Sequence, residues 1–331
     1  MNAISLISRV FRRVPGYDPS EYLDEINTTY KECWDYILQL DDSFFTDIKV
    51  ISTSTVASEF DFLYNSNGNL ASALSPRYFE IDRIRILQPG NSRWSTAVAR
   101  PWIDADLIGI EQLTPQNVST ADPYIYTAFA IGSIKFAMPL PAGTQIEVIY
   151  TFIWLPLTYL TNGNVTTIGG ANNVTGSATS FTQVISPDFQ QSLPGIDEDT
   201  DIGVELILNY VGPTQLPAPN QVYRVAAITT NTTLATVTNV ANSQAGISYC
   251  LAMVPDIPEG HHNVISTMAT ANMIATLEAG ETTMLQYWAG KAEKELNSMR
   301  DSVMTRQRQT PSRRQRFPQS VMRMTSTAAG R

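Results

Sequence analysis

The chain of 331 residues has helical patterns at both of its ends and strand patterns through its middle. Apolar residues recur at helical spacing near the N-terminus and again over residues 256–305, whereas residues 44–251 alternate and contain many turn signals. Because the chain ends carry the long amphipathic helices, we expect them to meet in one bundle that buries their apolar stripes. The sequence therefore predicts an α+β protein.

Two predicted helices open the chain. The first ends at Pro15-Gly16, which stops the apolar run. The second begins with a capping box, in which Asp18 is the cap, Pro19 is the first helical residue and Glu21 follows three residues after the cap. Its apolar stripe consists of Leu23, Ile26, Tyr30, Cys33, Trp34 and Ile37. This pattern is typical of a half-buried helix.

Two further predicted helices close the helical part of the chain. Asp256 and Glu259 repeat the capping-box spacing with Pro258 in the first turn, so the third helix is expected to begin there and to end at Gly280. Its stripe consists of Val264, Ile265, Met268, Ala271 and Ala275. The stripe of the fourth helix consists of Leu285, Trp288, Ala289, Ala292, Leu296 and Met299. Lysines and glutamates fill the other side of the fourth helix and predict that it is solvated.

The strand patterns before residue 160 predict a small antiparallel sheet. They comprise two short strands over residues 44–63, a hairpin of Tyr78–Leu87 with Trp94–Arg100 around Pro89-Gly90, a single strand over Tyr124–Phe136, and a strand over Gln145–Trp154. A short helical piece is expected near Trp102–Leu113. We expect this sheet to pack on the four helices, because that arrangement buries one face of each element. The helices and the sheet together make the predicted body of the protein.

The composition changes at Asn162, after which Thr, Asn, Ser, Val and Gly dominate up to about Leu251. Short strands separated by regular turn signals predict an inserted all-β module of the sandwich or barrel-like type. The predicted domains are a body at 1–160 and 253–305, the inserted β-rich module at 161–252, and an extended C-terminal tail at 306–331.

The C-terminal tail differs from the rest of the chain in its charge. Residues 306–331 contain seven arginines and no acidic residue, which leaves 15 basic against 31 acidic residues elsewhere, a net charge of −16. Because few apolar residues lie in the tail, it cannot bury a core and is expected to remain extended until a partner orders it. At about 3.3 Å per residue it reaches on the order of 85 Å.

Residues suited to metal binding or catalysis are few and poorly spaced. His261 and His262 are adjacent at a predicted helix start, where their side chains point about 100° apart, so packing or an intersubunit contact is favoured over metal binding. The acidic run 197–201 lacks the Gly and Glu positions of a calcium loop and predicts a solvated or intersubunit loop. Cys33 and Cys250 are expected to be buried thiols. The sequence predicts no catalytic residue, metal or cofactor.

Short motifs along the chain carry a family resemblance. In the predicted body they are YLDEIN at 22–27, PLP at 139–141, the run from Tyr150 to the WLPL of 154–157, and PDIPEGHH at 255–262. With these motifs the chain resembles the head-to-tail adaptor, or connector, proteins of tailed bacteriophages. In its residues 164–181 and 223–234 the inserted segment is similar to a β-module of phage neck and tail proteins. The chain departs from the family where 186–206 lengthens the module and where the Arg-rich end runs beyond the helical core.

The resemblance implies a non-enzymatic structural protein of the virion neck that needs no cofactor. Proteins of this family form a ring, usually of twelve copies, which lies beneath the portal protein and continues the DNA channel toward the tail. The expected partners are the portal protein, the tail tube or nozzle and other neck proteins, further copies of the chain, and genomic DNA that passes without sequence-specific binding. No membrane partner is expected. The expected location is the virion neck, after assembly in the cytoplasm of the host bacterium.

The Arg-rich tail has three interpretations, which are docking on the portal, contact with DNA phosphates, and a solvated terminus. Docking is favoured because Phe317, Val321, Met322 and Met324 add apolar anchors that a simple spacer does not need. The predicted docking residues are Arg306, Arg308, Arg313, Arg314, Arg316, Phe317 and Arg323.

The alternative function comes from another class of protein. A tail-associated carbohydrate- or receptor-binding protein would bind sugar with the Thr-, Asn- and Tyr-rich β-module and use the helices only for attachment. A cell-wall hydrolase is not supported, because neither an acid pair nor a metal-ligand spacing is evident in the sequence.

Overall fold

The computed structural model describes residues 1–61, 78–99, 125–130, 133–152, 154–184, 203–276 and 282–309. Contacts within the chain divide it into two compact units. The helical unit consists of Met1–Phe44, Tyr210–Pro219 and Val254–Arg331, and the strand unit consists of Phe45–Asn209 and Asn220–Met253. The protein therefore has the mixed α+β composition that the sequence predicts.

The described part of the helical unit contains α1 (Ala3–Arg13), α2 (Pro19–Leu40), α3 (His262–Thr276) and α4 (Thr282–Gln309). The helix α3 contacts α1, α2 and α4 and is the central helix of this unit. Its position explains why its polar residues Ser266, Thr267 and Thr270 are buried along with its apolar ones. The two chain ends thus meet in one bundle.

The helix α1 is short, and six of its 11 residues are buried. The side chain of Asn2 caps it by accepting a hydrogen bond from the Ser5 amide at 2.9 Å. Its apolar side chains Ile4, Ile7 and Val10 are fully buried. The hydroxyl of Ser8, also buried, donates to the Thr214 carbonyl at 3.1 Å, so a segment from the middle of the chain covers one side of the helix.

The helix α2 begins with the capping box that its sequence predicts. The Glu21 carboxylate accepts from the Asp18 amide at 2.7 Å, and Pro19 is the first helical residue. The predicted apolar stripe is buried except for the half-buried Leu23, and Tyr22 is buried beside it. The Tyr22 hydroxyl donates to the Val14 carbonyl at 2.6 Å, which fastens the start of α2 to the end of α1.

The predicted start of the third helix is wrong. A short 3-10 turn over Glu259–His261 precedes α3, and α3 itself begins at His262. The residue directly before the 3-10 turn is Pro258, two positions after the predicted cap Asp256. The Asp256 carboxylate accepts from the Tyr30 hydroxyl at 3.2 Å, and the Asp256 amide donates to the same hydroxyl at 2.9 Å, so Asp256 fastens this segment to α2.

The first eight strands form two four-stranded sheets. The strands are β1 (Thr46–Ser52), β2 (Ala57–Asp61), β3 (Tyr78–Leu87), β4 (Ser95–Thr96), β5 (Val98–Ala99), β6 (Ile125–Ala130), β7 (Ser133–Leu140) and β8 (Gln145–Phe152). One sheet has the order β1-β8-β3-β4 and the other the order β2-β7-β6-β5. All neighbours are antiparallel except β5 and β6, which are parallel.

Side chains of both sheets form one apolar core. It consists of Ile51, Ile84, Ile86, Ala97, Ile134, Phe136, Leu140, Ile146, Val148 and Tyr150. The predicted hairpin is confirmed for β3 and β4, in which Arg85 pairs with Thr96. The predicted second strand Trp94–Arg100 is divided, because β5 pairs with β6 in the other sheet. The single strand predicted over Tyr124–Phe136 is wrong, since β6 and β7 pair as a hairpin with Tyr126 opposite Phe136. The short helix predicted near residues 102–113 lies outside the described residues.

The remaining strands form one eight-stranded sheet. They are β9 (Tyr159–Leu160), β10 (Asn164–Thr167), β11 (Asn173–Ser177), β12 (Val204–Leu208), β13 (Val222–Thr230), β14 (Thr233–Thr236), β15 (Gln244–Ile247) and β16 (Tyr249–Met253). Their order is β15-β10-β11-β14-β13-β12-β16-β9, and all neighbours are antiparallel.

This sheet is strongly curled. Ser248 alone joins β15 to β16, although the two strands stand six places apart in the order. A flat sheet would separate them by about 29 Å, whereas two residues span at most about 7 Å. Register shifts in β13, between Val225 and Ala227 and again between Ile228 and Thr230, supply local bends.

The contact division differs from the predicted domain boundaries in two places. The prediction groups the small sheet with the helices, whereas β1–β8 belong to the strand unit. The reason is physical, because the two small sheets bury their apolar faces against each other in the core described above. In addition, the segment Tyr210–Pro219, which lies between β12 and β13, belongs to the helical unit.

Candidate interaction surface on the closing helix

The helix α4 is the most exposed of the four helices. At about 1.5 Å per residue, Thr282–Gln309 is about 42 Å long. Only Ala292, Met299 and Val303 are buried among its residues 283–304, and they lie on one stripe that faces the bundle. The other residues at 283–304 are exposed or half-buried.

The first two turns of α4 are apolar and carry no charge. Residues 282–290 read TTMLQYWAG, and none of the side chains at 283–290 is buried. Met284 is 41% exposed and Tyr287 is 60% exposed. Large exposed apolar residues grouped in this way are typical of protein interaction sites, where Met, Tyr and Trp are enriched.

Two lysines extend this apolar surface along the same side of the helix. Met284, Tyr287, Lys291 and Lys294 are spaced by three, four and three residues, which places them on one stripe. Trp288 lies at the border between this stripe and the bundle. We define these five residues as the α4 patch, with an apolar end and a basic end.

Arg13 at the end of α1 fastens the α4 patch to the bundle. Its Nη1 donates to the Ser266 carbonyl at 3.0 Å and to the Thr270 hydroxyl at 3.2 Å, both on α3. Its guanidinium also stands 4.5 Å above the Trp288 ring. Burial lowers the pKa of Arg13, and the nearby charge of Arg9 lowers it further. Arg13 therefore links α1, α3 and α4 through one side chain.

Trp288 carries two cations on its ring system and an edge contact with its neighbour. The Lys291 ammonium stands 4.9 Å from the ring centroid, and Tyr287 meets the ring edge-on with centroids 5.2 Å apart. The Trp288 Nε1 is buried and has no hydrogen-bond partner in the described part of the chain. The contacts of Trp288 are thus aromatic and electrostatic, which holds the aromatic end of the patch in a defined orientation.

The predicted docking residues lie at the end of α4 and beyond it. Arg306 and Arg308 are in its last turn, because the helix continues to Gln309 rather than stopping near residue 305. Pro311 follows shortly after this end and disfavours further helix at the preceding residue. Arg313, Arg314, Arg316, Phe317 and Arg323 lie outside the described residues. Docking by the tail stays a prediction.

The two histidines do not converge on a common site. His262 is 1% exposed, and its Nε2 is 2.9 Å from the Ile257 carbonyl while its Nδ1 is 2.9 Å from the Met1 amino group. These partners fit a neutral imidazole that donates from Nε2 and accepts at Nδ1. Burial lowers the pKa of His262, and the Met1 ammonium lowers it further. Burial also lowers the pKa of His261. The role of His262 is packing at the start of α3.

The cysteines and the acidic run, which the sequence also offered as candidates, form no metal-binding or catalytic cluster among the described residues. Cys33 and Cys250 are buried free thiols, as predicted, and burial raises the pKa of each to about 12. The acidic run 197–201 lies outside the described residues. Within the ranges that are described, no group of three His, Cys, Asp or Glu residues is placed to hold a metal ion. None of the described helices combines the length and apolar character needed to cross a bilayer.

Sequence reasoning missed both the α4 patch and the Arg13 contact. The fourth helix was expected to bury Leu285, Trp288 and Ala289, but Ala289 is exposed and the other two are only half-buried. The signal that marks the patch is the absence of charge over residues 282–290, directly before a charged stretch.

No protein-family model matches the chain, and no curated protein matches it either.

Proposed function

We propose that this chain is a non-enzymatic structural protein of the neck of a tailed bacteriophage. It forms a ring, of twelve copies as in the family it resembles, that joins the portal to the tail and continues the DNA channel. Its proposed architecture is a four-helix body made from both chain ends with a small antiparallel sheet, an inserted sandwich or barrel-like β-module, and an extended basic tail. The tail docks on the portal.

The observation that carries the proposal is the meeting of the two chain ends in one bundle. α1 and α2 from the N-terminal end contact α3, and α3 contacts α4 from the C-terminal end. The bundle then presents α4, whose exposed patch leads into the arginines at its end and beyond. An assembly scaffold needs such a combination of a fixed core with exposed binding elements.

The charge distribution supports a channel protein. Without the tail the chain carries a net charge of −16. Acidic groups facing a bore repel the DNA backbone and let it slide, whereas basic groups would hold it by their phosphate contacts. The proposed partners are therefore the portal protein, the tail tube or nozzle with other neck proteins, and further copies of the chain. DNA passes through the ring without sequence-specific binding.

Electron microscopy of the particle and of the reconstituted neck tests the function. Purified protein is expected to be monomeric when dilute and polydisperse when concentrated, and to give a ring with a central hole when mixed with portal rings of its phage. Antibody labelling of the virion is expected to mark the head-to-tail junction. Label at the tips of the tail fibres, together with a fibrous trimer in solution, would instead support the carbohydrate- or receptor-binding alternative.

A further inference from the structure

The solvent side of α2 carries a stripe of acidic residues. Glu21, Asp24 and Glu32 are exposed, and the side chain of Asp35 is 46% exposed. Their spacing by three, eight and three residues keeps them on the side of the helix opposite the buried stripe. The one basic residue of α2 is Lys31, whose ammonium is 2.6 Å from the Asp35 carboxylate. We define Glu21, Asp24, Glu32 and Asp35 as the α2 face.

The α2 face and the α4 patch are complementary in charge and similar in length. The basic end of the α4 patch holds Lys291 and Lys294, with the half-buried Glu295 one turn after Lys291, which leaves one net positive charge. The α2 face holds four carboxylates with Lys31 beside Asp35, and so remains opposite in charge. At about 1.5 Å per residue the patch is about 15 Å long and the face about 21 Å long. One helix surface can therefore lie along the other over its whole length.

We propose that the α4 patch of one copy binds the α2 face of a second copy of this chain. The proposal rests on the proposed function, to which it adds the contact between neighbouring subunits. The two surfaces belong to different helices, so the contact is heterologous and leaves one free patch and one free face on every pair. Such contacts repeat from copy to copy and close into a ring when the rotation between copies allows it.

The apolar and charged parts of the contact have different roles. Exposed ion pairs contribute at most about 1 kcal/mol each, so the lysines and carboxylates mainly fix the register and exclude other surfaces. Tyr287 and Met284 supply the apolar area that gives affinity, since a tyrosine is a common energetic centre of interfaces. Arg13 holds Trp288 beneath them, so the patch is already ordered before the second copy arrives.

Sedimentation velocity of the full chain at low salt, over a wide concentration range, tests the contact. The wild-type protein is expected to self-associate with rising concentration, and added salt is expected to weaken the association. Tyr287→Ala is expected to weaken self-association about tenfold or more. The double charge reversal Asp24→Lys with Glu32→Lys is expected to abolish it. These side chains are exposed, so circular dichroism is expected to show unchanged folding.

A mixing experiment distinguishes this contact from a symmetric one. The Tyr287→Ala, Lys291→Ala protein keeps an intact α2 face, and the Asp24→Lys, Glu32→Lys protein keeps an intact α4 patch. Each is expected to be monomeric alone, and an equal mixture is expected to form one-to-one dimers and nothing larger. Met304→Ala is the matched control, because this exposed methionine of α4 lies away from the patch.

Three outcomes overturn the proposal. They are a wild-type protein that stays monomeric at the highest concentration, patch variants that associate like the wild type, and a mixture that forms no dimers. Loss of association in Arg313→Ala, Arg314→Ala, Arg316→Ala with the patch variants unaffected would make the basic tail the occupant of the α2 face. Loss of portal binding in the Tyr287→Ala protein, without self-association of the wild type or of any variant, would make the portal the occupant of the α4 patch.

The proposal and the proposed function fail separately. Portal-bound rings that form normally from the Tyr287→Ala protein would remove the subunit contact and leave the neck function standing. Self-association that follows every expected effect, with no ring on portals and no label at the head-to-tail junction, would remove the function and leave the contact standing.

Discussion

The helices α1 and α4 belong to the same bundle but relate to solvent in opposite ways. Six of the 11 residues of α1 are buried, and its side chains Ile4, Ile7 and Val10 have no exposed surface. In α4, by contrast, three side chains are buried among residues 283–304. The comparison teaches that amphipathic patterns at the two chain ends have different purposes. The first holds the bundle together, and the second presents a surface that the bundle supports.

The largest expected effect comes from opening a cavity under α1. Ile7→Ala is expected to lower the free energy of unfolding by about 2–5 kcal/mol, because it removes buried methyl groups that the surrounding helices cannot replace. Urea unfolding followed by far-ultraviolet circular dichroism measures the change. Met304→Ala in α4 is the matched control and is expected to change stability by less than about 0.5 kcal/mol. Equal losses in both variants would contradict the comparison.

A smaller loss is expected from cutting the link between the two helices. Arg13→Ala removes charge-assisted hydrogen bonds to α3 and the stack on Trp288, which is worth about 2 kcal/mol in total. A double-mutant cycle with Trp288→Leu isolates the stacking part, expected at about 0.5–1 kcal/mol. Arg12→Ala, at an exposed neighbouring position, is the control. A coupling free energy of zero between Arg13 and Trp288 would show that Arg13 stabilises only its contact with α3.

The stability of the bundle is expected to depend on pH through His262. Its pKa is lowered in the folded state by burial and by the Met1 ammonium, against a smaller opposing effect of Glu259. The unfolded chain therefore binds more protons as the pH falls below the ordinary value of about 6.5. Stability is expected to be complete above that pH and to decline as the pH falls through it toward the lowered pKa.

Urea midpoints between pH 5 and pH 8 measure this decline. His262→Asn is expected to be less stable throughout but to lose the part of the slope that lies near pH 6. His261→Asn is the control and is expected to keep most of that slope, because its ring is less buried than that of His262. A slope that survives unchanged in the His262→Asn protein would assign the dependence to other groups.

The smallest expected effect on stability is that of the largest exposed side chain of the α4 patch. Tyr287→Ala is expected to change the free energy of unfolding by no more than about 0.5 kcal/mol, because the side chain is 60% exposed. Thermal unfolding of wild type and variant at equal concentration, dilute enough to exclude self-association, measures it. A loss above about 1.5 kcal/mol would mean that the first turns of α4 contribute to the core of the bundle. The difference in burial between α1 and α4 would then not hold.

Local rules predicted the parts of the fold that local interactions decide. The capping box of Asp18 and Glu21 fixes the start of α2 from neighbouring residues alone, and the structure contains it. The β3–β4 hairpin follows in the same way from its turn at Pro89-Gly90. Buried cysteines were predicted because each lies within an apolar pattern.

Sequence patterns failed where distant contacts decide the outcome. Asp256 has the local features of a cap, but the helical turn begins after Pro258, and the Asp256 carboxylate accepts a hydrogen bond from Tyr30, which lies far away in the chain. The exposure of the α4 patch could not be read from helical periodicity, because periodicity shows that an apolar side exists without showing which molecule covers it. The single segment Tyr210–Pro219 joins the helical unit for a similar reason, since only tertiary structure brings Ser8 to Thr214.

The curled eight-stranded sheet has a mechanical consequence. The chain passes into it at β9 and leaves it at β16, and these two strands pair with Leu160 opposite Leu251 and Tyr159 opposite Ala252. The Met253 amide donates to the Thr158 carbonyl at 3.0 Å, so both chain connections leave from the same end of this pair. Tension along the chain therefore loads the hydrogen bonds one after another rather than together. The pairing of β9 with β16 is therefore expected to open first, before the other strand pairs of the sheet.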